Sequence, residues 1–375
     1  MRSGAMRRLG RALLVAGAAL LAALLLALLR PSPIDPLAFD PPKKQLRSPA
    51  GYQPNRALQG ARRFAEGRVR GPEDVAFDAQ ARLYAGTAEG KIVRVGLLNE
   101  AVEDFATTGG RPLGLRFDPE GRLIVCDAQK GLLAVDREGR VSTLATEADG
   151  APFRFTNNLD VAADGAIYFT DSSDTWGPDQ YLFDLLEARP HGRLLRLDPA
   201  SGKVSVLIKG LHFANGVALS ADESFLVVAE TYRYRLLRYW LKGPRAGNAD
   251  EFASNLPGFP DNVSRGAEGT FWVAFFTVRN DFLDAMHPHP LAKRLLARLP
   301  RLLWPRPARY GLVANLDDGG RCLGSLHDPT GERVWQVTTV RERAGVLYLG
   351  TLDNSWLARY TLPQPFVSLP GADVK

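Results

Sequence analysis

The chain has 375 residues, well beyond the roughly 100–150 residues of an ordinary domain, so it holds either several domains or one large architecture. Its residues are 45% hydrophobic and 23% charged, which is typical of a soluble globular protein and excludes both wholesale disorder and a polytopic membrane protein. The formal net charge of +6 comes from a few short basic segments. That distribution excludes a nucleic-acid-binding face and is more typical of contact with a membrane surface.

An apolar segment, residues 12–29, follows four arginines at the start of the chain. As a helix it is about 27 Å long, close to the thickness of a bilayer's hydrocarbon core. A cleaved signal peptide is the alternative, but no A-x-A-like cleavage site follows, and the segment exceeds the usual apolar length of signal peptides. The positive-inside rule places the N-terminus in the cytoplasm. We predict a cytoplasmic tail and a single transmembrane helix over residues 1–30, with the rest of the chain on the extracytoplasmic side.

Residues 31–58 contain seven prolines, a composition that predicts a stiff, extended spacer. Residues 59–375 are assigned to one folded domain. The two cysteines, Cys126 and Cys322, lie in no C-x-x-C motif or Cys/His cluster that would hold zinc. We expect both to be buried free thiols.

From about residue 70 the chain repeats a unit made of a short leading strand, an acidic or glycine-containing turn and a second strand. The six units begin at Asp74, Gly114, Asn158, Gly216, Asn262 and Val337. Spacings of about 40–45 residues match four-stranded blades arranged around an axis. A (β/α)₈ barrel is the alternative for this length, but the helical periodicity that it needs between strands is absent. The sequence predicts an all-β, six-bladed propeller.

Oxygen-bearing side chains stand just before the leading strands of four units. They are Glu73, Asp74, Asn157, Asn158, Asn215, Asp261 and Asn262. Because the leading strand is the innermost of a blade, the pseudo-symmetry brings these side chains to the mouth of the central channel. Carboxylate and amide oxygens without His or Cys predict Ca²⁺ and not zinc. An Asx turn explains any single one of them equally well, but the recurrence in four units favours a cation site. The second and sixth units carry Leu113 and Gln336 there, which predicts an apolar and a neutral wall.

Two long inserts interrupt the repeat between the second and third strands of the third and fifth units, at residues 174–191 and 277–309. Both connections lie on the face of the channel mouth, so we predict a lid, with Trp176 and Phe282 among its aromatic residues. The sequence of residues 281–309 predicts a basic amphipathic helix. Packing on the propeller and lying at a membrane interface both fit this pattern. We predict that it does both, with an outer cationic face on lipid.

Several short motifs resemble the strictosidine synthase-like branch of the six-bladed calcium propellers over almost the whole chain. The motifs are Arg111-PLG, Phe169-TDSS, Gly192-RLL, Asn215-GVALS, Val228-AET, Pro257-GFPDN, Ser325-LHDP and Leu347-YLGT. The wider superfamily, which includes paraoxonases and gluconolactonases, binds Ca²⁺ at the channel mouth. The resemblance implies that the catalytic ion is bound by Glu73, Asn157, Asn215, Asp261 and Asn262. It also implies a second, structural ion at Asp74 and Asn158.

Two departures from the relatives narrow the expected chemistry. Strictosidine synthases use a glutamate in the sixth unit for their Pictet–Spengler condensation, and Thr338 stands at that position, so we do not expect that reaction. Paraoxonases place a histidine where Leu113 stands. What remains is carbonyl polarisation by the ion, with Asp261 or Glu73 accepting the proton of an attacking water. We expect a membrane-anchored, Ca²⁺-dependent hydrolase of small apolar esters or lactones. A non-catalytic tethered propeller that binds a partner and uses Ca²⁺ for rigidity is the alternative.

Overall fold

The computed structural model describes residues 29–44 and 51–363, with isolated positions between 14 and 26. Within these residues the six predicted units form six four-stranded antiparallel sheets whose innermost strands contact one another in a closed ring. The predicted six-bladed propeller is therefore confirmed. No helix among the described residues is long and apolar enough to cross a bilayer. The predicted anchor over residues 1–30 lies almost entirely outside the described residues.

Blades 1 to 3 each run outward from the axis through four strands in chain order. The strands of blade 1 are Val75–Phe77, Leu83–Gly86, Lys91–Val95 and Val102–Thr107. Those of blade 2 are Pro112–Phe117, Leu123–Asp127, Gly131–Val135 and Val141–Ala145. A small hairpin, Glu147–Ala148 with Ala151–Pro152, leads to blade 3. The strands of blade 3 are Thr156–Val161, Ile167–Asp171, Gly192–Leu197 and Val204–Leu211.

Blades 4 and 5 follow the same order. The strands of blade 4 are Ala214–Leu219, Phe225–Glu230, Arg235–Trp240 and Ala249–Ala253. Those of blade 5 are Gly258–Arg265, Phe271–Val278, Gly311–Leu316 and Cys322–Asp328. The innermost strands of these two blades approach so closely that a Cβ on Gly216 would lie 2.2 Å from the Val263 nitrogen. Only glycine fits there, which explains its place at the start of the fourth unit.

Blade 6 is closed by a strand from the other end of the chain. Its strands are, from the axis outward, Val337–Arg343, Val346–Thr351, Leu357–Thr361 and Arg62–Phe64. Phe64 is buried and packs edge-on against Tyr348, and the Arg63 guanidinium lies over the Trp335 and Trp356 rings at 4.9 and 5.1 Å. The repeat carries no signal for this outer strand. The closure ties the start of the domain to its end and seals the ring.

The described residues of the stiff spacer predicted over residues 31–58 pack on the domain. Ile34 is only 4% exposed, and backbone N–H groups at 35, 37 and 39 donate to the inserts. Leu58 is fully buried, and the Asn55 amide donates to the Ser325 carbonyl at 2.8 Å. The prolines hold an extended backbone, and the apolar side chains between them supply the contacts. We call residues 34–44 the strap.

The two inserts lie between the second and third strands of blades 3 and 5, as predicted, and we call them together the lid. The first contains a 3₁₀ turn, Pro178–Gln180, and helix α1, Tyr181–Glu187. The second contains α2, Asp281–Met286, α3, Pro290–Arg298, and a 3₁₀ turn, Arg301–Leu303. The single helix predicted over 281–309 is thus two short helices, because prolines at 288, 290 and 300 interrupt it. Three other 3₁₀ turns lie outside the lid. They are Thr231–Arg233, Ala267–Gly269 and Ala57–Gly60, and the last of these precedes the closing strand.

Both cysteines are free, as expected, although only Cys126 is fully buried and Cys322 is partly exposed.

Candidate functional site

The six blades present one side chain each to the floor of a single cavity of about 570 Å³ at the channel mouth. These equivalent residues are Glu73, Leu113, Asn157, Asn215, Asp261 and Thr338. In blades 2 to 6 the pairing of the innermost strand with its neighbour is interrupted by a β-bulge at this position. A bulge places an extra residue on one side of a strand and re-aims its side chain. This local irregularity turns one residue in the first half of each of these five strands toward the channel.

Three oxygen atoms at this floor and a fourth beside it are buried and lack a hydrogen-bond donor among the described residues. They are Glu73 Oε2, Asn157 Oδ1, Asn215 Oδ1 and Asn262 Oδ1. The amide N–H₂ groups point elsewhere: that of Asn157 donates to Ser172 Oγ and that of Asn262 crosses the channel to Glu73 Oε1, each at 2.9 Å. Each buried acceptor left unpaired costs about 1–3 kcal/mol. Their concentration at one point indicates a site for a group that accepts lone pairs.

The two carboxyl groups at the floor oppose each other's ionisation. Burial, with the Asp74 carboxylate adding to it, raises the pKa of Glu73 to about 8. Burial and then the charge of Glu73 raise the pKa of Asp261 well above its usual value. The Asn215 amide lies within hydrogen-bonding reach of Asp261 and lowers that pKa only in part. A positive charge between the two groups would therefore favour the ionised form of both.

This donor set fits a hard cation. It consists of two carboxylates and three amide oxygens, and no group of three or more His, Cys, Asp or Glu side chains among the described residues is arranged to hold a metal ion. Zinc and other transition metals prefer nitrogen or sulfur ligands, whereas Ca²⁺ is bound by carboxylate and amide oxygens in numbers of six to eight. Asn262 differs from the other four, because it is behind Glu73 and does not line the cavity.

The predicted second ion at Asp74 and Asn158 does not fit the structure. The Asp74 carboxylate is fully buried and paired with Arg116 at 2.9 Å and Arg341 at 3.1 Å. The Asn158 amide nitrogen is directed at the same carboxylate, and its oxygen accepts from the Val217 N–H at 3.2 Å. Donors from the protein therefore already surround these oxygens.

Three phenylalanines in the cavity wall were not predicted. Phe155, Phe213 and Phe259 line the cavity, and each stands two residues before a floor residue, in Phe155-TN, Phe213-AN and Phe259-PD. Phe155 and Phe213 meet edge to face at 5.4 Å. The recurring spacing of Phe, any residue, and Asn or Asp was the sequence signal for this wall. The lid adds Leu182, Leu186, Leu296 and Trp304, so much of the wall above the polar floor is apolar, although arginines such as Arg279 and Arg301 also line it.

Five residues were predicted to form the substrate pocket or lid, and two of them line the cavity, Leu113 and Thr338. Trp176 supports the lid from behind, where its indole N–H donates to Glu187 Oε2 at 2.8 Å. Phe282 points away from the cavity and is 59% exposed. Gln336 has a left-handed backbone, with φ of 51°, and lies before the bulge that aims Thr338 inward. Trp176 and Phe282 therefore belong to the lid inserts, as predicted, without lining the cavity, and Gln336 does not form the neutral wall predicted for the sixth blade.

Arg111 is a further cavity residue to which no role was assigned from its motif. Its guanidinium donates to the carbonyls of Gly71 at 2.8 Å and Leu352 at 3.2 Å, and it lines the cavity wall beside Glu73. The positive charge lowers the pKa of Glu73 and so offsets part of the effect of burial. Arg111 thus favours the ionised form of one floor carboxylate.

Two family models match the chain: strictosidine synthase over residues 157–244 and the strictosidine synthase-like N-terminal region over residues 50–95. The chain is 37% identical to the adipocyte plasma membrane-associated protein of Rattus norvegicus, over 88% of this chain and 93% of the relative. It is 38% identical to the protein of the same name from Homo sapiens, over 88% and 84%. It is 35% identical to strictosidine synthase-like 3 of Arabidopsis thaliana, over 79% and 83%.

Among solved structures, a gluconolactonase from Xanthomonas campestris superposes with a TM-score of 0.61 at 20% identity, over 89% of this chain and 99% of that one. The calcium-binding protein regucalcin from Agrobacterium tumefaciens superposes with a TM-score of 0.56 at 16% identity, over 80% and 93%. These two likenesses show the fold alone. The identity to the curated relatives shows more: the chain belongs to the strictosidine synthase-like family of six-bladed propellers that includes the adipocyte plasma membrane-associated proteins.

Proposed function

We propose that this protein is a membrane-anchored, Ca²⁺-dependent hydrolase of small apolar esters or lactones. The observation that carries the proposal is the set of unpartnered buried oxygens at the floor of a cavity whose wall is largely apolar. An enzyme that acts on neutral, apolar esters needs such a wall for binding and one strong electrophilic centre for the carbonyl. The names of the gluconolactonase and regucalcin neighbours agree with lactone chemistry and with calcium.

Glu73, Asn157, Asn215, Asp261 and Asn262 would hold the ion. When bound, Ca²⁺ supplies Lewis-acid polarisation of a carbonyl oxygen and stabilises the negative charge that develops on it. Asp261 and Glu73 line the cavity, so either carboxylate can accept the proton of an attacking water. The phenylalanine wall and the lid bind the apolar part of the substrate and keep bulk water from the floor.

The family's name does not describe the proposed reaction. A Pictet–Spengler condensation needs an acid–base group in the sixth blade, and this blade presents Thr338 to the cavity. The Thr338 hydroxyl donates to the Glu73 carbonyl at 2.7 Å, so its hydrogen is already engaged in holding the floor together. Leu113 likewise offers no proton acceptor at the floor.

Membrane attachment is the second part of the proposal. Residues 12–29 would span the bilayer, and the names of the plasma membrane-associated relatives agree with such a location. Ile34 is buried against the lid only five residues after Leu29, so the lid lies within about 17 Å of the end of the apolar segment. The lid and strap expose large apolar side chains on this side: Leu37, Phe282, Leu291, Leu295, Leu302 and Leu303. We propose that this surface rests on lipid, so that apolar substrates enter the cavity from the membrane.

Turnover on a panel of aryl esters and lactones tests the enzymatic proposal. The full chain in detergent should hydrolyse members of the panel with Ca²⁺, lose that activity with a chelator, and regain it when Ca²⁺ is restored. Asp261→Asn should lower turnover by about 100-fold or more. Asp136→Asn is the matched control, because Asp136 is a turn residue on the outside of blade 2 paired with Arg140. Calcium binding without turnover on any member of the panel would contradict the proposal and support the tethered scaffold.

A further inference from the structure

We infer that two arginines, Arg116 and Arg341, are permanent cations of the central channel and take the place of a second metal ion beneath the mouth. The inference rests on the channel's own contacts and goes beyond the proposed hydrolase. It concerns the residues just below the floor, where the sequence resemblance implied an ion at Asp74 and Asn158.

The pseudo-symmetry places the charged residues of this cluster at one repeat position. Six equivalent positions, each three residues after a floor residue on an innermost strand, are occupied by Ala76, Arg116, Asp160, Ala218, Ser264 and Arg341. The first, fourth and fifth blades contribute small side chains that are at most 4% exposed. The second, third and sixth contribute two arginines and one aspartate, and Arg116 and Asp160 pair with each other.

Asp74 is the centre of this cluster and joins four blades. Its Oδ1 accepts from its own blade at the Val75 N–H and from blade 6 at Thr339 Oγ1, both at 2.8 Å. Its Oδ2 accepts from blade 2 at the Leu115 N–H, 3.1 Å, and at Arg116 Nη1, 2.9 Å. Arg341 Nη2 donates to both oxygens, at 3.3 and 3.1 Å. An ionised carboxylate offers about four lone-pair positions, and these donors use them all.

The remaining polar groups near Asp74 are also unsuited to a cation. The Asn158 amide nitrogen from blade 3 is directed at Asp74 Oδ2 at 3.5 Å, so it presents N–H groups where an ion would need oxygen. Asp160 pairs with Arg116 Nε at 3.4 Å and accepts from the Leu219 N–H at 2.9 Å. Two guanidinium groups and two carboxylates make this buried cluster neutral. A divalent ion added to it would bury two uncompensated positive charges.

The cluster has a consequence for the site above it. Asp74 directly follows the floor residue Glu73, and ion pairs and hydrogen bonds to protein groups hold Arg116 and Arg341. These contacts need no metal, so they join the strands below the floor whether or not Ca²⁺ is bound at the mouth. We therefore expect one bound ion per chain and a ring of blades whose integrity does not depend on calcium.

Ion stoichiometry and thermal unfolding of the full chain in detergent test the inference. Wild type and Asp74→Asn should bind the same number of Ca²⁺ ions, measured by equilibrium dialysis. Asp74→Asn should lower the unfolding midpoint by several degrees, and by the same amount in Ca²⁺ and in chelator, because it breaks protein contacts and not metal ligands. Asp261→Asn, the same chemical change at the mouth, should instead remove the stabilisation by Ca²⁺.

An Asp74→Asn variant that keeps the wild-type midpoint in chelator but loses one bound ion would overturn the inference. If wild type binds no Ca²⁺ at all, the proposed hydrolase fails, while an equal loss of stability in both buffers still supports the arginine cluster. If Asp74→Asn does not fold, Arg341→Ala is the second variant that tests the inference. It opens space beside Asp74 and should create an additional calcium site, seen as one further bound ion and a larger calcium-induced rise in the midpoint than in wild type. No further ion in that variant would contradict the replacement of a metal by arginine.

Discussion

At the scale of single residues, the floor of the cavity is built at the expense of stability. Glu73 and Asp261 are carboxyl groups buried side by side, and the amide oxygens near them have no donors. A folded chain alone would be more stable with apolar or hydrogen-bonded side chains at these positions. Residues that cost folding free energy and converge at one point are best explained by what they bind.

Asp261→Asn should have opposite effects on stability with and without calcium. Because the folded-state pKa of Glu73 is raised from 4.5 to about 8 and that of Asp261 is raised as well, the metal-free protein loses stability as pH rises through this range. The variant removes one of the two charges, so in chelator at pH 8 its unfolding midpoint should exceed that of wild type. In saturating Ca²⁺ the order should reverse. A variant less stable than wild type in both buffers would show that Asp261 has a structural role only.

Asp184 in α1 provides a second titration, away from the floor. Burial raises its pKa from 3.8 to about 7, and the Ser173 hydroxyl and the charge of His191 offset this only in part. The folded protein therefore holds a proton on Asp184 that the unfolded chain has lost, and this contribution to stability disappears as pH rises from about 4 to about 7. The shift in the pKa of Asp184 corresponds to a loss of at most about 4 kcal/mol in the free energy of unfolding.

Asp184→Asn should remove that pH dependence. Chemical denaturation at pH 5 and pH 8 should show the variant gaining free energy of unfolding relative to wild type at the higher pH. Asp174→Asn is the control, because the pKa of Asp174 is lowered by hydrogen bonds from His191 and Thr175, so its removal should cost stability at pH 8. If the free energies of unfolding of wild type and Asp184→Asn change with pH in the same way, Asp184 is ionised at both pH values.

Sequence alone predicted the floor residues because the chemistry recurs at one repeat position. The cavity wall and Arg111 were missed for different reasons. Phe155, Phe213 and Phe259 do recur, two residues before the floor, but aromatic residues in a β-rich chain are ordinarily core. Arg111 has no equivalent in the other blades, so no pattern marks it. The ion pairs that occupy the Asp74 carboxylate come from side chains of blades 2 and 6, which are far from Asp74 in the sequence.

At the scale of elements, the strap and the lid form one assembly. Asp35 pairs with Arg189 of the first insert and, at 2.6 Å, with Arg294 of the second. Its backbone N–H donates to Glu187 Oε1 at 2.7 Å, and the buried Lys293 ammonium donates to the Leu37 carbonyl. Proline spacing predicts a stiff, extended backbone, but it does not indicate what such a segment packs against. The contacts are between residues about 150 to 260 positions apart, so no local pattern carries them.

Asp35→Asn should loosen the lid while leaving the propeller intact. The pairs are largely exposed, so the global free energy of unfolding should change by about 1 kcal/mol or less. Hydrogen exchange of the backbone amides in α1 and α3 should nevertheless become faster, because both inserts lose their common partner. Asp136→Asn removes an exposed ion pair with Arg140 and should leave lid exchange unchanged. Unchanged exchange in Asp35→Asn would mean that the inserts hold their positions without the strap.

The lipid contact proposed for the lid can be tested with an environment-sensitive fluorophore. Leu291 on α3 is 68% exposed, and Leu98 on blade 1, far from the lid in the chain, is fully exposed. In full-length protein in nanodiscs, with Cys322→Ser as background, the dye on Leu291→Cys should report an apolar surrounding and be quenched by brominated lipid. The dye on Leu98→Cys should report water. Identical spectra at the two positions would contradict a lid that rests on the membrane.

At the scale of the whole molecule, the sequence repeat predicts the propeller fold but does not predict how the ring of blades is closed. Period, turn chemistry and buried strands predicted six blades in the right order. The outer strand of blade 6, Arg62–Phe64, is three residues long and precedes the first unit, so it has no repeat partner. The ring and its closure give the site its rigidity, because each floor residue comes from a different blade.

The most direct test of the central claim is a crystal structure of the protein grown with Ca²⁺. We predict one ion at the channel mouth, about 2.3–2.6 Å from carboxylate oxygens of Glu73 and Asp261 and from amide oxygens of Asn157, Asn215 and Asn262. The same structure should show Asp74 still paired with Arg116 and Arg341. A calcium-soaked crystal with these five oxygens unliganded, or with the ion at Asp74, would contradict the account.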